Sequence, residues 1–240
     1  MTCVIGARGA DGCAIVADTR ITREFEATNE SKFHILWDRV TLAGAGTTAL
    51  LDKFAEGLGK SAIPSSPDLD DITVQVEDIV HGIWQRYVPR LGRDCGLEAL
   101  IMGLEKFSKG DPFIRRVLGE GVTEHVNEFA IIGHGAPYVS MLFRALYDPM
   151  LTASELGVLG WFSVTALAQS GLDQTVGIGP IGAEAVILRA NEQPRFLNPL
   201  EAEFKAARES LSGYRFRLKL VKSVWGTPPQ AYENLPPGLL

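Results

Sequence analysis

Cysteine is scarce in this chain, and the little there is excludes two kinds of architecture. Cys3, Cys13 and Cys95 are odd in number and lack CxxC spacing, so neither a disulfide framework nor a structural zinc site is expected. A reducing, cytoplasmic setting fits such a chain. Basic residues are also in deficit, 23 Lys and Arg against 29 Asp and Glu. They form no block, and a net charge of −6 argues against nucleic acid as the main partner. No apolar run approaches the roughly 20 residues that span a bilayer, and no secretory signal opens the chain. His34, His81 and His125 show no ligand spacing, so no metal or other cofactor is expected. The glycine turns Gly133-His134-Gly135 and Gly177-Ile178-Gly179 lack the Lys-Ser/Thr ending of a P-loop, which leaves nucleotide binding unsupported. Internal repeats are absent, and the one stretch rich in Pro and Ser, Ile63 to Asp71, is too short for a domain linker.

What remains is a chain of 240 residues, 46% hydrophobic, able to bury a sizeable core in one domain. Cys3 to Ala7 and Cys13 to Ala17 are short apolar runs flanking Asp11-Gly12, a strong hairpin signal. Phe33 to Trp37 and Val40 to Ala43 form a second pair turning at Asp38-Arg39, and Gly44-Ala45-Gly46 follows. Apolar residues at helical spacing then predict helices from Thr47 to Leu58 and from about Asp70 to Tyr87, the latter capped by Asp70 or Asp71. Strands follow at Leu97 to Leu104, Phe113 to Leu118 and Glu128 to Ile132, then helices from Pro137 to Tyr147 and from Ser154 to Ser170. A hairpin of Ala183 to Arg189 with Arg195 to Leu197, and a helix from Leu200 to Ser212, close the domain, read as residues 1–213. Residues 214–240 read as a partly extended tail suited to packing on a neighbour. Blocks of strands separated by blocks of helices suit an α+β fold in which two antiparallel sheets stack between helical layers.

The hairpins bring chemistry-bearing residues together. A loop of Gly9 to Gly12, or of Asp11-Gly12 alone, pairs Thr2 with Thr19 or Ile21, so Asp18 lies beside the first residues of the chain. A turn centred on Asp38-Arg39 sets Lys32 opposite roughly Ala45 and next to Gly46. Once Met1 is removed, Thr2 carries its own base: the α-amine, with an ordinary pKa of about 7.7–8.0, sits close to working pH. Lys32 supplies a positive charge that keeps the amine unprotonated, Asp18 orients it, and the Gly46 N–H can hold a tetrahedral oxyanion. Taken singly, each residue has a plainer reading: an ordinary second residue, a turn former, a solvated edge charge, a strand breaker. Together, in these two registers, they compose half-sites that sequence alone does not dock.

At Met1-Thr2, Asp11-Gly12, Ala17-Asp18-Thr19-Arg20, Ser31-Lys32-Phe33-His34 and Gly44-Ala45-Gly46-Thr47 the chain resembles the proteasome β-subunit family of N-terminal nucleophile hydrolases, bacterial members included. The resemblance continues more faintly through Ile132-Gly133-His134-Gly135 and Asp173-Gln174-Thr175-Val176-Gly177, up to about Ala190. It implies a four-layer αββα sandwich and a threonine peptidase acting through Thr2, Asp18, Lys32, Gly46 and Asp173. Methionine removal exposes the nucleophile, without a long propeptide. It also implies a homo-oligomeric ring or stacked ring, whose ATPase partner the sequence does not name. The apolar helices Thr47 to Leu58 and Pro137 to Tyr147 are candidate contact surfaces, and packing within one subunit explains them equally well. The pocket for the side chain before the scissile bond falls on Ile21, Glu30, His34, Gly44, Thr48 and Asp52. Gly44 leaves the pocket floor open and two acids line its walls, which resembles the trypsin-like subtype and favours Lys or Arg. Equally, Asp52 complements a helix dipole and Glu30 faces solvent.

Two positions depart from the family pattern. His134 and Val176 stand where the family has serines near the nucleophile. Val176 offers no hydrogen bond to the amine, whereas His134 is an alternative proton relay. Two other outcomes therefore stand beside hydrolysis: a catalytically silent structural ring subunit, and a peptide ligase that passes the Thr2 ester to an amine.

Overall fold

The computed structural model describes residues 2–23, 26–61, 69–91, 96–106, 109–170, 176–178 and 182–212. Two five-stranded antiparallel sheets form the middle of the fold. The first has the order β10 (Phe129–Ile132), β1 (Val4–Arg8), β2 (Gly12–Ala17), β11 (Glu184–Arg189), β12 (Arg195–Phe196). The second runs β5 (Phe33–Leu36), β6 (Val40–Gly46), β7 (Leu97–Lys106), β8 (Lys109–Val117), β9 (Thr123–His125). A separate hairpin, β3 (Arg20–Arg23) with β4 (Glu26–Asn29), lies between β2 and β5 in the chain.

The period-2 alternation of the strands sorts their residues into layers. Val4, Ile15, Ala43, Leu100, Ile114 and Val186 fill the space between the sheets. Ile5, Val16 and Ile187, one residue on, face the opposite way and pack with Phe143 of α3 (Ala136–Leu146), Leu159 of α4 (Ala153–Ser170) and Phe204 of α5 (Ala202–Ser212). On the outer face of the second sheet, Leu42 and Ile101 meet Phe54 of α1 (Thr48–Lys60) and Val80 of α2 (Leu69–Leu91). The result is the expected αββα sandwich, with one core per pair of layers. Helix α4 is buried on nearly every side, because it lies on the first sheet between α3 and α5. None of the helices among the described residues is long and apolar enough to cross a membrane.

Cys3 and Cys13 are buried thiols, and burial pushes that of Cys13 up to about 12, as suits packing residues. At the end of the sandwich holding the β1–β2 turn, a polar network ties the chain's first turn to its last helix. Arg189 bonds Asp11 at 3.0 Å and Glu203 at 2.6 Å, while Ser154 and Arg195 also donate to Glu203.

The structure corrects several expectations. In the first hairpin Val4 pairs with Ala17 and Arg8 with Cys13, so the longer loop, Gly9 to Gly12, sets the register and Thr2 runs beside Thr19. In the second, Leu36 pairs with Val40 and Phe33 with Ala43. Lys32 therefore stands opposite Gly44, one residue from the expected Ala45. The cause is a three-residue turn in which Trp37 and Asp38 both take left-handed φ values, 55° and 54°. The hairpin β3–β4 is an element that the sequence reading does not include, and α2 starts at Leu69, which puts Asp70 and Asp71 inside its first turn instead of at its cap. The expected tail, 214–240, lies outside the described residues.

Candidate active site

Strand alternation puts Thr2 on the same face of β1 as Val4, toward the second sheet, and sends Cys3 into the core under α3 and α4. Thr2 is only 7% exposed. Asp18 follows β2, and the hairpin returns it to Cys3: the Asp18 N–H donates to the Cys3 carbonyl at 3.2 Å, and the Cys3 N–H donates to Asp18 Oδ1 at 2.9 Å. Lys32, at the mouth of the second sheet, crosses the gap. Its Nζ donates to Thr2 Oγ1 at 2.8 Å and to Asp18 Oδ1 at 2.7 Å. The half-sites are thereby docked by a single ammonium.

Asp18 is fully buried and Lys32 nearly so. Burial pushes the Asp18 carboxyl above its ordinary range, against the pull of the Lys32 charge and of N–H donors from Cys3 and Gly177. Burial likewise pushes the Lys32 ammonium below its usual value, against the Asp18 charge. Solvent exclusion thus works against both charged forms, and the direct bond between the two side chains works for them.

Gly46 ends β6 with φ 122°, a conformation that side chains rarely adopt, and it is exposed at the mouth of the site. Gly133, just past β10, has φ 89°; a β-carbon there would stand 2.1 Å from the Thr2 carbonyl oxygen and 3.1 Å from Ala45 Cβ. Ala45, the residue before Gly46, therefore lies beside the Gly133 turn that meets the Thr2 carbonyl. The Gly135 N–H donates to the same Thr2 carbonyl at 3.3 Å.

The remaining expected residues divide. Asp173 lies outside the described residues, as does the side chain of Ile21, whose backbone pairs with Thr28. His34 is half-buried; burial lowers its pKa, and the charge of Asp52 on α1 opposes that shift. Thr48 begins the same helix, half-buried. Glu30 is exposed and accepts a hydrogen bond from Thr28 Oγ1 at 2.8 Å. Gly44 does not leave an open floor: a β-carbon on it would meet Leu51 Cδ2 at 2.1 Å, so the Leu51 side chain takes up that room. His134 is exposed, and among the described residues no hydrogen bond ties it to Thr2 or Lys32. Val176 is 2% exposed and packs into the apolar core beside Cys3, Leu167 and Gly135. Sequence reasoning did not single out Glu98 and Arg116, paired at 2.9 Å, or the Gly177 N–H directed at Asp18 Oδ2 at 3.4 Å. The first pair is a diagonal contact across consecutive strands β7 and β8, whose register sequence reasoning did not fix, and the Gly177 contact joins segments 159 residues apart.

Comparisons with known proteins bear on the family and the fold. A family model described as proteasome subunit matches residues 1–171. Among solved structures, Anbu (ancestral beta-subunit) from Yersinia bercovieri superposes with a TM-score of 0.69 at 12% identity, covering 98% of this chain and 100% of that one. An Anbu (Gly-1) mutant from Hyphomicrobium sp. strain MC1 gives 0.65 at 16% identity, with 92% and 97% covered. At such identities the likeness speaks for the fold. No curated protein matches the chain. With the family model matching residues 1–171 and the sandwich shared with these solved structures, the chain belongs to the proteasome subunit family of N-terminal nucleophile hydrolase folds.

Proposed function

We propose that this chain is a threonine-type peptidase whose nucleophile is Thr2, exposed by removal of Met1. The observation that carries the reading is the buried Lys32 ammonium, bonded at once to Thr2 Oγ1 and to Asp18. Oγ1 attacks the substrate carbonyl carbon and its proton passes to the α-amine, while Lys32, held by Asp18, stabilises the oxygen that loses it. The Gly46 N–H receives the oxyanion. Collapse transfers the proton to the leaving amine and leaves a Thr2 ester, which water then hydrolyses; an amine in place of water gives ligation. Asp173 is assigned to the same machinery by its place in the family pattern.

For the side chain preceding the scissile bond, His34, Thr48 and Asp52 form one wall and Glu30 stands at the rim, with Ile21 from the neighbouring hairpin. Leu51 narrows the floor beside Gly44, so the preference for Lys or Arg rests on Asp52 and Glu30. Assembly into a homo-oligomeric ring fits α3, which leaves Tyr138 and Met141 47% and 66% exposed. It fits α1 less well, because Leu50, Phe54 and Leu58 are already buried within the subunit. Light scattering that finds only monomer across micromolar concentrations refutes assembly.

The second reading, a silent ring subunit, is favoured by Val176, whose side chain is committed to the core and bonds no amine. Intact mass spectrometry separates the two. An enzyme loses Met1 and takes up a threonine-directed electrophile, and Thr2→Ala abolishes the uptake; a scaffold stays unlabelled. Cleavage of fluorogenic peptides after Leu as fast as after Arg defeats the specificity assignment.

A further inference from the structure

Lys32 is not the only charged side chain that crosses between the sheets near Thr2. Glu98 stands opposite Ala45 in the register of β6 and β7, two residues before Leu100 and therefore on the face that looks into the space between the sheets. Arg116 shares that face with Ile114 on β8. Its Nη2 bonds Glu98 Oε1 at 2.9 Å, and its Nη1 lies 3.8 Å from Glu124. Half-burying a carboxylate at the rim of an apolar layer is unfavourable unless both oxygens are occupied. The second oxygen of Glu98, Oε2, accepts the Gly133 N–H at 3.4 Å.

Gly133 is the residue on which a β-carbon would run into the Thr2 carbonyl oxygen, and Gly135, two residues on, donates to that oxygen. A chain of contacts thus runs from Arg116 through Glu98 to the 133–135 turn and on to the Thr2 carbonyl. Holding that carbonyl fixes the rotation of Thr2 at the end of β1, which aims both Oγ1 and the α-amine. Glu98 also pairs with Ala45, the residue before Gly46, so one side chain spans the nucleophile's sheet and the oxyanion turn's sheet.

We propose that Glu98 is a positioning residue for the nucleophile: oriented by Arg116, it sets the 133–135 turn and through it the spacing between Thr2 and Gly46. This rests on the peptidase reading. Misplacement of a reacting group by about 1 Å costs on the order of 10²-fold in rate. A turn that loses one of its holding bonds while keeping the Gly135 contact should cost about 10-fold.

The test uses the full chain and a threonine-directed electrophile, with maximal labelling rate and half-saturation measured separately. Glu98→Ala should lower the maximal rate about 10-fold with half-saturation unchanged, and Glu98→Gln, which keeps an acceptor oxygen, should recover at least a third of it. Glu77→Gln, which removes a carboxylate bonded to Thr123 at 2.7 Å away from the site, should leave the rate alone. Hydrogen–deuterium exchange resolved to the 133–135 turn is a second readout independent of reactivity: it should quicken about 10-fold in Glu98→Ala while the strands of both sheets keep their protection. An unreactive wild type sinks the peptidase reading, and the exchange result then decides the positioning role alone. Unchanged exchange at the turn, or a loss expressed in half-saturation instead of maximal rate, overturns the inference.

Discussion

Replacing Lys32 by methionine removes the ammonium that joins the two sheets at the candidate site but keeps a flexible side chain of similar length. Asp18 is then left at 0% exposure without its cation. Two donors remain to it, the Cys3 N–H at 2.9 Å and the Gly177 N–H at 3.4 Å, so the charge is not wholly orphaned. Breaking a buried ion pair from one side costs about 3–5 kcal/mol, and the surviving donors place this site near the lower end, about 3 kcal/mol at neutral pH. The loss carries a pH signature. Burial already raises the Asp18 pKa with Lys32 present, and removing the opposing charge raises it further. A folded-state pKa above the unfolded value means that the folded protein binds the extra proton. The variant's deficit is therefore full above the raised pKa and shrinks as pH falls toward the unfolded value of about 3.9, by at most about 1.4 kcal/mol per pH unit. Urea denaturation of wild type and variant from pH 7.5 down to 4.5 measures this directly. Adding Asp18→Asn should bring stability back to within about 1 kcal/mol of wild type, because the neutral pair no longer buries a lone charge. Labelling at Thr2 should stay absent in both variants, which separates the chemical role of the pair from its cost to the fold. A single variant that loses less than about 1 kcal/mol, or loses the same amount at every pH, refutes the account of a buried, coupled pair.

Two further outcomes are expected. Burial alone would raise the Glu203 pKa, but hydrogen bonds from Ser154, Arg189 and Arg195 outweigh it and bring it to about 2, so its contribution to stability is present above the ordinary Glu value and lost as pH falls from about 4.5 toward 2. Thermal melts against pH should show this loss in wild type and a flatter acid limb in Glu203→Gln. Val176→Ser places the family's hydroxyl in an apolar pocket formed with Cys3 and Leu167; it should cost about 1–3 kcal/mol in urea and leave the Thr2 labelling rate no higher. A faster rate shows that the serine is what the site lacks.

Local pairing decided what the sequence reveals. Asp18 beside Cys3 follows from a hairpin of fifteen residues' separation, and the Asp-Gly turn marks it. The β3–β4 hairpin escaped notice because Arg, Glu and Thr through residues 20–28 obscure any alternation. The register of β5 and β6 was off by one because nothing in Trp37 announces a left-handed φ. The four layers were legible from the order of blocks, since each sheet must bury two faces. Side-chain reach between sheets is another matter: Lys32 to Thr2 followed only from the family resemblance, and the path from Glu98 to Gly133 from neither source. Gly44 shows the limit of transferring a pocket residue by position, because a neighbour one turn into α1, Leu51, occupies the room its missing side chain leaves.

The order of strands in the first sheet has a consequence for synthesis. β1 and β2, made first, are central strands, and their outer partners β10 and β11 come more than a hundred residues later. Asp18 receives its last N–H donor from Gly177, 159 residues downstream. At the roughly 5–20 residues per second of translation, the nascent N-terminus waits about ten seconds or longer before Thr2 and Asp18 have all their contacts. During that interval Met1 is within reach of other enzymes and Thr2 has no formed site around it. A protein of this topology completes the contacts around Thr2, Asp18 and Lys32 only when most of the chain has emerged, so on the proposed peptidase reading nascent neighbours are shielded by the timetable of folding itself.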